Sequence, residues 1–314
     1  MSEVSLLSTY FRPQPGTPTD DIDRILPGYE QARLMGLSFA ACDRLATQWL
    51  MGDSPADVLG MTAIAVLAPA PHALTLDILR RQRDFFIARP PETPFLVCDP
   101  DLLFFKPISD LFEDDFDIAF TRRSGSRRMP FNSGIFFVNN RKPEAAARFW
   151  SMQVDAIEQA FMADAGWYAD QLVLRHLIEE KAVALGSDRY RLDGLTIRII
   201  DGETYNFSPR REHPYLLRRP DVHVYHFKGR CRSYMAAFYR HFIAPVKPPM
   251  EPMMRLLAAL RLDRERGRLK PLYVRARERC APVGVEAMPE PRRAALVEAC
   301  EPSLNPVVPG APSS

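Results

Sequence analysis

Asp99-Pro100-Asp101 sets two carboxylates one residue apart, with a proline between them, straight after the apolar run Phe95-Leu96-Val97-Cys98. Two carboxylate oxygens can bind a hard divalent cation such as Mg²⁺ or Mn²⁺, and that cation can bridge the phosphates of a nucleotide. Neutralising charge on a departing diphosphate lowers the barrier to group transfer. The same three residues also make an ordinary turn, since Asp and Pro are both turn formers. Four further groups lie around them: Arg80, Arg81 and Arg83 before the pair, then Asn132-Ser133-Gly134, Asp170-Gln171 and His226-Phe227-Lys228-Gly229 after it. Each has a bland reading as well: a solvated helix face, a turn, a helix N-cap, and a core histidine beside a surface lysine.

These groups need elements to position them. Val4–Phe11 predicts a first strand, and a Pro/Gly/Thr/Asp loop follows at residues 12–21. Leu34, Leu37, Ala41 and Leu45 fall at helical spacing, which predicts a helix from Tyr29 to Trp49. A short strand is expected at Ile64–Leu67, a helix at Leu76–Ala88, and buried strands at Phe95–Cys98, Phe116–Phe120 and Gly134–Val138. Helices at Glu144–Met162 and Asp170–Glu180 and strands at Thr196–Ile200 and Val222–His226 complete the series. Strands alternating with helices predict an α/β fold whose central sheet is mixed and mostly parallel. Ligands of such sheets sit at the carboxyl ends of strands, where Asp99 and Asp101 lie.

In this order and spacing the motifs resemble those of the GT-A-fold, Rossmann-like nucleotide-diphospho-sugar glycosyltransferases, and are similar to glycosyltransferase family 8 and related families. The resemblance covers about residues 4–240 and rests on Ser8-Thr9-Tyr10, the arginine helix, Asp99-Pro100-Asp101, Asn132-Ser133-Gly134, Asp170-Gln171 and His226-Phe227-Lys228-Gly229. It implies a metal site of Asp99, Asp101 and His226, with Mn²⁺ (or Mg²⁺) as cofactor. It implies a nucleotide-diphosphate sugar donor, UDP-sugar favoured, held by Thr9, Tyr10, Arg81, Arg83, Ser133, Gly134, Lys228 and Gly229. Asn132, Asp170 and Gln171 would position the sugars. Gln171, a poor nucleophile set at the reacting carbon, suits front-face displacement with retention better than a covalent intermediate. The chain departs from the family pattern in residues 46–61, ATQWLMGDSPADVLGM, where a clear strand is usual. It departs again after Gly229, where Arg230 and Arg232 stand in place of a complete family ending.

Two basic segments stand apart. The stretch 121–130, TRRSGSRRMP, has four arginines and no acid, and suits either a surface loop or a lid over an anionic ligand. Arg255–Arg279 has nine Lys or Arg against three Asp or Glu, with Leu256, Leu257, Leu260 and Leu262 among them. It suits a solvated helix, or a basic amphipathic segment on an anionic membrane face. Composition divides the chain into an α/β domain (1–245), this basic segment (246–280) and a Pro/Ala/Ser-rich tail (281–314) with little to bury.

The opening residues lack a basic n-region and no apolar run approaches about 18 residues, so a cytoplasmic protein is expected, at most peripheral at the inner membrane face. Five scattered cysteines without a CxxC pair argue against a disulfide framework or a zinc site. The basic stretch has one aromatic, Tyr273, which speaks against nucleic acid. The acceptor expected is a glycan, lipid-linked sugar or protein hydroxyl. A nucleotidyltransferase is the nearest competing enzyme, but residues 12–21 hold a single glycine where that class needs a Gly-rich loop. A non-catalytic nucleotide-sugar-binding or assembly protein is the competing non-enzyme.

Overall fold

The computed structural model describes residues 3–11, 26–53, 61–68, 73–123, 125, 127–164, 168–209 and 219–244. The basic segment 255–279, the tail and the loop 12–21 lie outside the described residues.

Nine strands form one sheet in the order β3-β2-β1-β4-β7-β6-β10-β9-β8. They are β1 (Val4–Tyr10), β2 (Leu45–Gly52), β3 (Thr62–Ala65), β4 (Phe95–Cys98), β6 (Ile118–Arg122), β7 (Phe131–Val138), β8 (Val183–Ala184), β9 (Arg189–Leu192) and β10 (Leu195–Asp201). Only β7 and β9 run against the other seven, so the sheet is mixed and mostly parallel, as expected. Two short strands, β5 (Leu102–Phe104) and β11 (Val224–His226), pair antiparallel in a separate ribbon.

Both faces of the sheet are covered, which is why its central strands read as unbroken apolar runs. On β4, Leu96 and Cys98 enter the core beneath α1 (Gly28–Ala40), while Phe95 and Val97 enter the core beneath α2 (Leu74–Ala88) and α3 (Ala145–Ala156). On β7, Ile135 and Phe137 go to the first core, Phe136 and Val138 to the second. The β5–β11 ribbon and the C-terminal α6 (Met235–Phe242) pack with α1 in the first core, and α4 (Ala169–His176) belongs to the second. Among the described residues no helix is long and apolar enough to cross a membrane.

The helix expected over residues 29–49 is corrected to α1 followed by β2. The chain leaves α1 because Cys42 and Asp43 both turn their N–H groups onto the Phe39 carbonyl. The Asp43 carboxylate then accepts the backbone N–H groups of Ile108 and Ser109, at 2.6 and 3.2 Å. A long-range anchor thus overrides a local helical period. The helix expected to reach Met162 keeps α-geometry to Ala156, widens over Ile157–Phe161 and tightens over Met162–Asp164. A four-residue helix, α5 (Gly202–Tyr205), follows β10 and carries the chain back over the sheet end.

Candidate metal and donor site

β1 and β4 are adjacent and parallel, and their carboxyl ends open where the strand order reverses direction. That crevice is where doubly wound sheets bind ligands. Thr9 and Tyr10 end β1, and Asp99-Pro100-Asp101 follows β4.

The ribbon supplies the missing partner. Its register places His226 opposite Leu102, and the Phe227 N–H donates to the Asp101 carbonyl at 2.8 Å. Residues remote in sequence therefore meet by backbone pairing. Nε2 of His226 lies 3.0 Å from Oδ1 of Asp101 and 3.4 Å from Oδ2 of Asp99. Ligand atoms of Asp99, Asp101 and His226 all fall within 4.8 Å of one another.

The hydrogen bonds around His226 fix which nitrogen faces the carboxylates. A carbonyl can only accept, so the Thr121 hydroxyl donates to the Asn132 carbonyl at 3.4 Å. The Thr121 oxygen then accepts from Nδ2 of Asn206 at 2.8 Å. That turns Oδ1 of Asn206 toward His226, where it takes the Nδ1 proton at 2.7 Å. Once Nδ1 carries the proton, neutral imidazole presents a bare lone pair at Nε2. That lone pair points at two anionic oxygens, an arrangement a cation would complete. Oδ1 of Asp101 is fully buried and has no hydrogen bond. A buried polar atom left without a partner calls for a ligand. Spacings of about 3 Å suit neighbouring ligands on a small hard cation held at about 2.1 Å. The residues fit Mn²⁺ or Mg²⁺, with imidazole favouring Mn²⁺.

The second oxygen of Asp101 accepts from Nε of Arg232 at 2.7 Å. Burial would raise the Asp101 pKa, but the Arg232 charge and its hydrogen bond win and hold it well below the usual carboxylate range. Asp99, by contrast, is half open to solvent, with 54 % of its side chain exposed.

β7 forms the floor. Asn132-Ser133-Gly134 is not a turn ahead of the strand but lies within it, at a bulge. Phe120 pairs with Phe136 while Thr121 pairs with Asn132, so the residues between swing out of the β6 ladder. Bulges re-aim side chains beside active sites. The Asn132 side chain braces this one, Oδ1 accepting the Gly134 N–H at 3.1 Å. A Cβ on Gly134 would stand 2.2 Å from the His226 ring and 3.0 Å from Oδ2 of Asp99. Glycine is required there by close approach rather than by φ.

Ser133 donates a short hydrogen bond to Oδ2 of Asp170. Asp170 is therefore tied to the floor of the site, and lies inside the first turn of α4 rather than ahead of it. The residue ahead is Tyr168, a left-handed non-glycine at φ 69°. Burial raises the Asp170 pKa, opposed by the Ser133 hydroxyl and the Gln171 N–H. Oε1 of Gln171 faces Nη1 of Arg123 at 3.5 Å. Lys228 follows His226, and burial lowers its pKa against the pull of Asp99 and Asp101. Gly229 takes φ +52°, a left-handed turn that lets the chain leave the strand at once.

The arginine helix differs from expectation. Arg81 donates to the Leu67 carbonyl at 2.7 Å and lies near the Phe11 ring, and Arg83 pairs with its neighbour Asp84. The guanidinium on Asp101 comes instead from Arg232. The same helix reaches β1 through Gln82, whose Nε2 donates to the Thr9 hydroxyl at 3.2 Å and whose Oε1 accepts from Trp150 at 2.7 Å. The Tyr10 ring lies over Gly28 at the start of α1. Asn206 carries no signal in the sequence; Thr121 and Arg123 lie in the arginine-rich stretch 121–130, and Arg232 stands three residues after Gly229.

No family model matches the chain, and no curated protein matches it. Solved structures with a similar course of chain include the glycosyltransferase GlyE of Streptococcus pneumoniae TIGR4, at 14 % identity and TM-score 0.48 over 76 % of this chain. This chain spans 60 % of the length of that structure. They also include the galactosyltransferase LgtC, with bound donor and acceptor sugar analogues, at 12 % identity and TM-score 0.47 over 80 % of this chain and 99 % of that one. A third is a glycosyltransferase involved in glycosylation of the major capsid of PBCV-1, at 16 % identity and TM-score 0.42 over 74 % of this chain and 98 % of that one.

Proposed function

We propose that the protein is a metal-dependent glycosyltransferase that moves a sugar from a nucleotide-diphosphate donor, UDP-sugar favoured, to a hydroxyl acceptor. The observation that carries this reading is the convergence of Asp99, Asp101 and His226, whose ligand atoms lie within 4.8 Å of one another at the carboxyl end of β4. When bound there, Mn²⁺ would neutralise charge on the leaving diphosphate.

The chain's own residues do the rest. Lys228, made less basic by burial, stands beside the two carboxylates and offers a compact positive charge to the diphosphate. Arg232 keeps Asp101 ionised and immobile, so the ligand is preorganised. Ser133 and Asp170 present paired polar groups to the donor sugar, and Asn132 holds the bulge that aims them. Gln171, one residue on, stands at the reacting carbon. Its amide is too weak a nucleophile for a covalent intermediate, which favours front-face displacement with retention. Thr9 and Tyr10, ending β1 at the same crevice, line the base side, with Arg81 and Arg83 on the flanking helix.

Binding to the folded state alone raises the unfolding midpoint. UDP, GDP, CDP, ADP and dTDP, each with and without Mn²⁺, are therefore to be screened by thermal shift on the wild type and on Asp101→Ala. The expected result is a shift by one nucleotide, with metal, in the wild type alone. No shift by any nucleotide would put a non-catalytic role first.

A further inference from the structure

Between β6 and β7 the chain carries four arginines, Arg122, Arg123, Arg127 and Arg128. Several other arginines are matched with acids: Arg141 with Asp115, Arg148 with Asp193, Arg175 with Glu179, Arg189 with Asp114 and Arg219 with Asp221. Among the described residues, Arg122, Arg123, Arg127 and Arg128 have no carboxylate partner, and all four are exposed. Four like charges within seven residues repel one another, and no carboxylate among the described residues offsets that.

Their place is set by the sheet. Arg122 ends β6 level with Asp201 on β10, and the Arg123 N–H donates to the Pro130 carbonyl at 2.7 Å, closing the hairpin. The hairpin runs into Asn132, Ser133 and Gly134, and Arg123 reaches Oε1 of Gln171. Arg123 thus stands between Gln171 and Lys228, and the strand ends that carry the other three arginines join the floor of the site. The diphosphate end has Lys228, and would have the metal that Asp99, Asp101 and His226 could hold. In front-face displacement the incoming hydroxyl approaches on the same face as the departing diphosphate, so the acceptor is bound beside the diphosphate and outside the metal centre.

Resting on the function proposed above, we infer that the acceptor is an anionic carbohydrate, carrying a phosphate or carboxylate that Arg122, Arg123, Arg127 and Arg128 grip while its hydroxyl meets the reacting carbon. A planar guanidinium takes two oxygens of either group at once, which makes arginine the suited residue.

The test compares wild type with Arg127→Ser/Arg128→Ser and Arg127→Lys/Arg128→Lys, all loaded with Mn²⁺ and the nucleotide found above. Ligand-observed NMR titrations use matched pairs: glucose 6-phosphate against glucose, and galacturonate against galactose. Inorganic phosphate is a separate arm, and vesicles of phosphatidylglycerol against phosphatidylcholine are another. Charged sugars should bind the wild type at least about tenfold tighter than their neutral partners. The serine variant should lose that preference, the lysine variant keep part of it, and added salt weaken it. Nucleotide affinity should be equal in all three proteins. A fall in nucleotide affinity in the serine variant would assign the hairpin to the donor and overturn the inference. So would equal binding of charged and neutral sugars, inorganic phosphate binding as tightly as the sugar phosphate, or binding only to anionic vesicles. Failure of every nucleotide to bind the wild type would overturn the proposed function itself, a different result.

Discussion

Two carboxylates in this molecule each hold arginine, and they do opposite things with it. Asp114, at the far edge of the first core, pairs with Arg189 and Arg198. It also accepts the Asp115 N–H at 2.7 Å. Every strong bond it can make is made within the fold. Asp101 pairs with Arg232 on one oxygen only, and its other oxygen, fully buried, faces Nε2 of His226 beside Asp99. Both carboxylates have lowered pKa values, each held down by positive neighbours against burial. A perturbed carboxylate therefore does not distinguish a site from a structural ion pair. What distinguishes them is bonding capacity left over after the fold is complete.

The comparison breaks first at Asp101. Asp101→Ala should abolish metal-dependent nucleotide stabilisation, and should also lower stability by about 3 kcal/mol because Arg232 and His226 lose their buried partner. Chemical denaturation with and without Mn²⁺ and nucleotide separates the two effects. Gly134→Ala should come next. A methyl 2.2 Å from the His226 ring forces that ring out of place, costing about 1–3 kcal/mol and the metal together. Asn206→Leu removes the acceptor of the Nδ1 proton, and Mn²⁺ affinity by calorimetry should fall about 10–100-fold. Asn206→Asp, which still accepts, should recover most of it. ¹⁵N spectra should show Nε2 unprotonated in the wild type and a mixture of tautomers in the leucine variant.

Asp114→Asn should behave differently, costing about 1 kcal/mol or less and leaving metal and nucleotide binding unchanged. Its pKa is lowered in the fold, so its contribution is present above the unfolded value near 3.9 and is lost as pH falls through the lower folded value. The variant should therefore lose less stability on acidification below about pH 4 than the wild type does. Arg83→Ala should be smallest, within about 0.5 kcal/mol, since the pair with Asp84 is exposed.

The strands that carry the site were legible because β4 and β7 are buried on both faces and cannot hide in sequence. Asp99, Asp101 and His226 were legible as motif residues, and the structure brings all three together. The β2 strand was not, because a helical spacing of leucines runs across the turn that Asp43 fixes from outside. The Thr121–Asn206–His226 relay was not, because its members come from three separate elements and each is an ordinary buried polar residue alone. The guanidinium on Asp101 was not legible either: Arg80 pairs with Glu158, Arg81 with the Leu67 carbonyl and Arg83 with Asp84, whereas Arg232 reaches the site after the turn at Gly229.

The most direct test of the central claim is a Mn²⁺ titration followed by electron paramagnetic resonance, on wild type and on His226→Ala, with and without UDP. The signal of free aqueous Mn²⁺ should fall as wild type is added, fall further with UDP, and stay unchanged with His226→Ala. An unchanged signal with the wild type, or an equal loss with both proteins, would contradict the account.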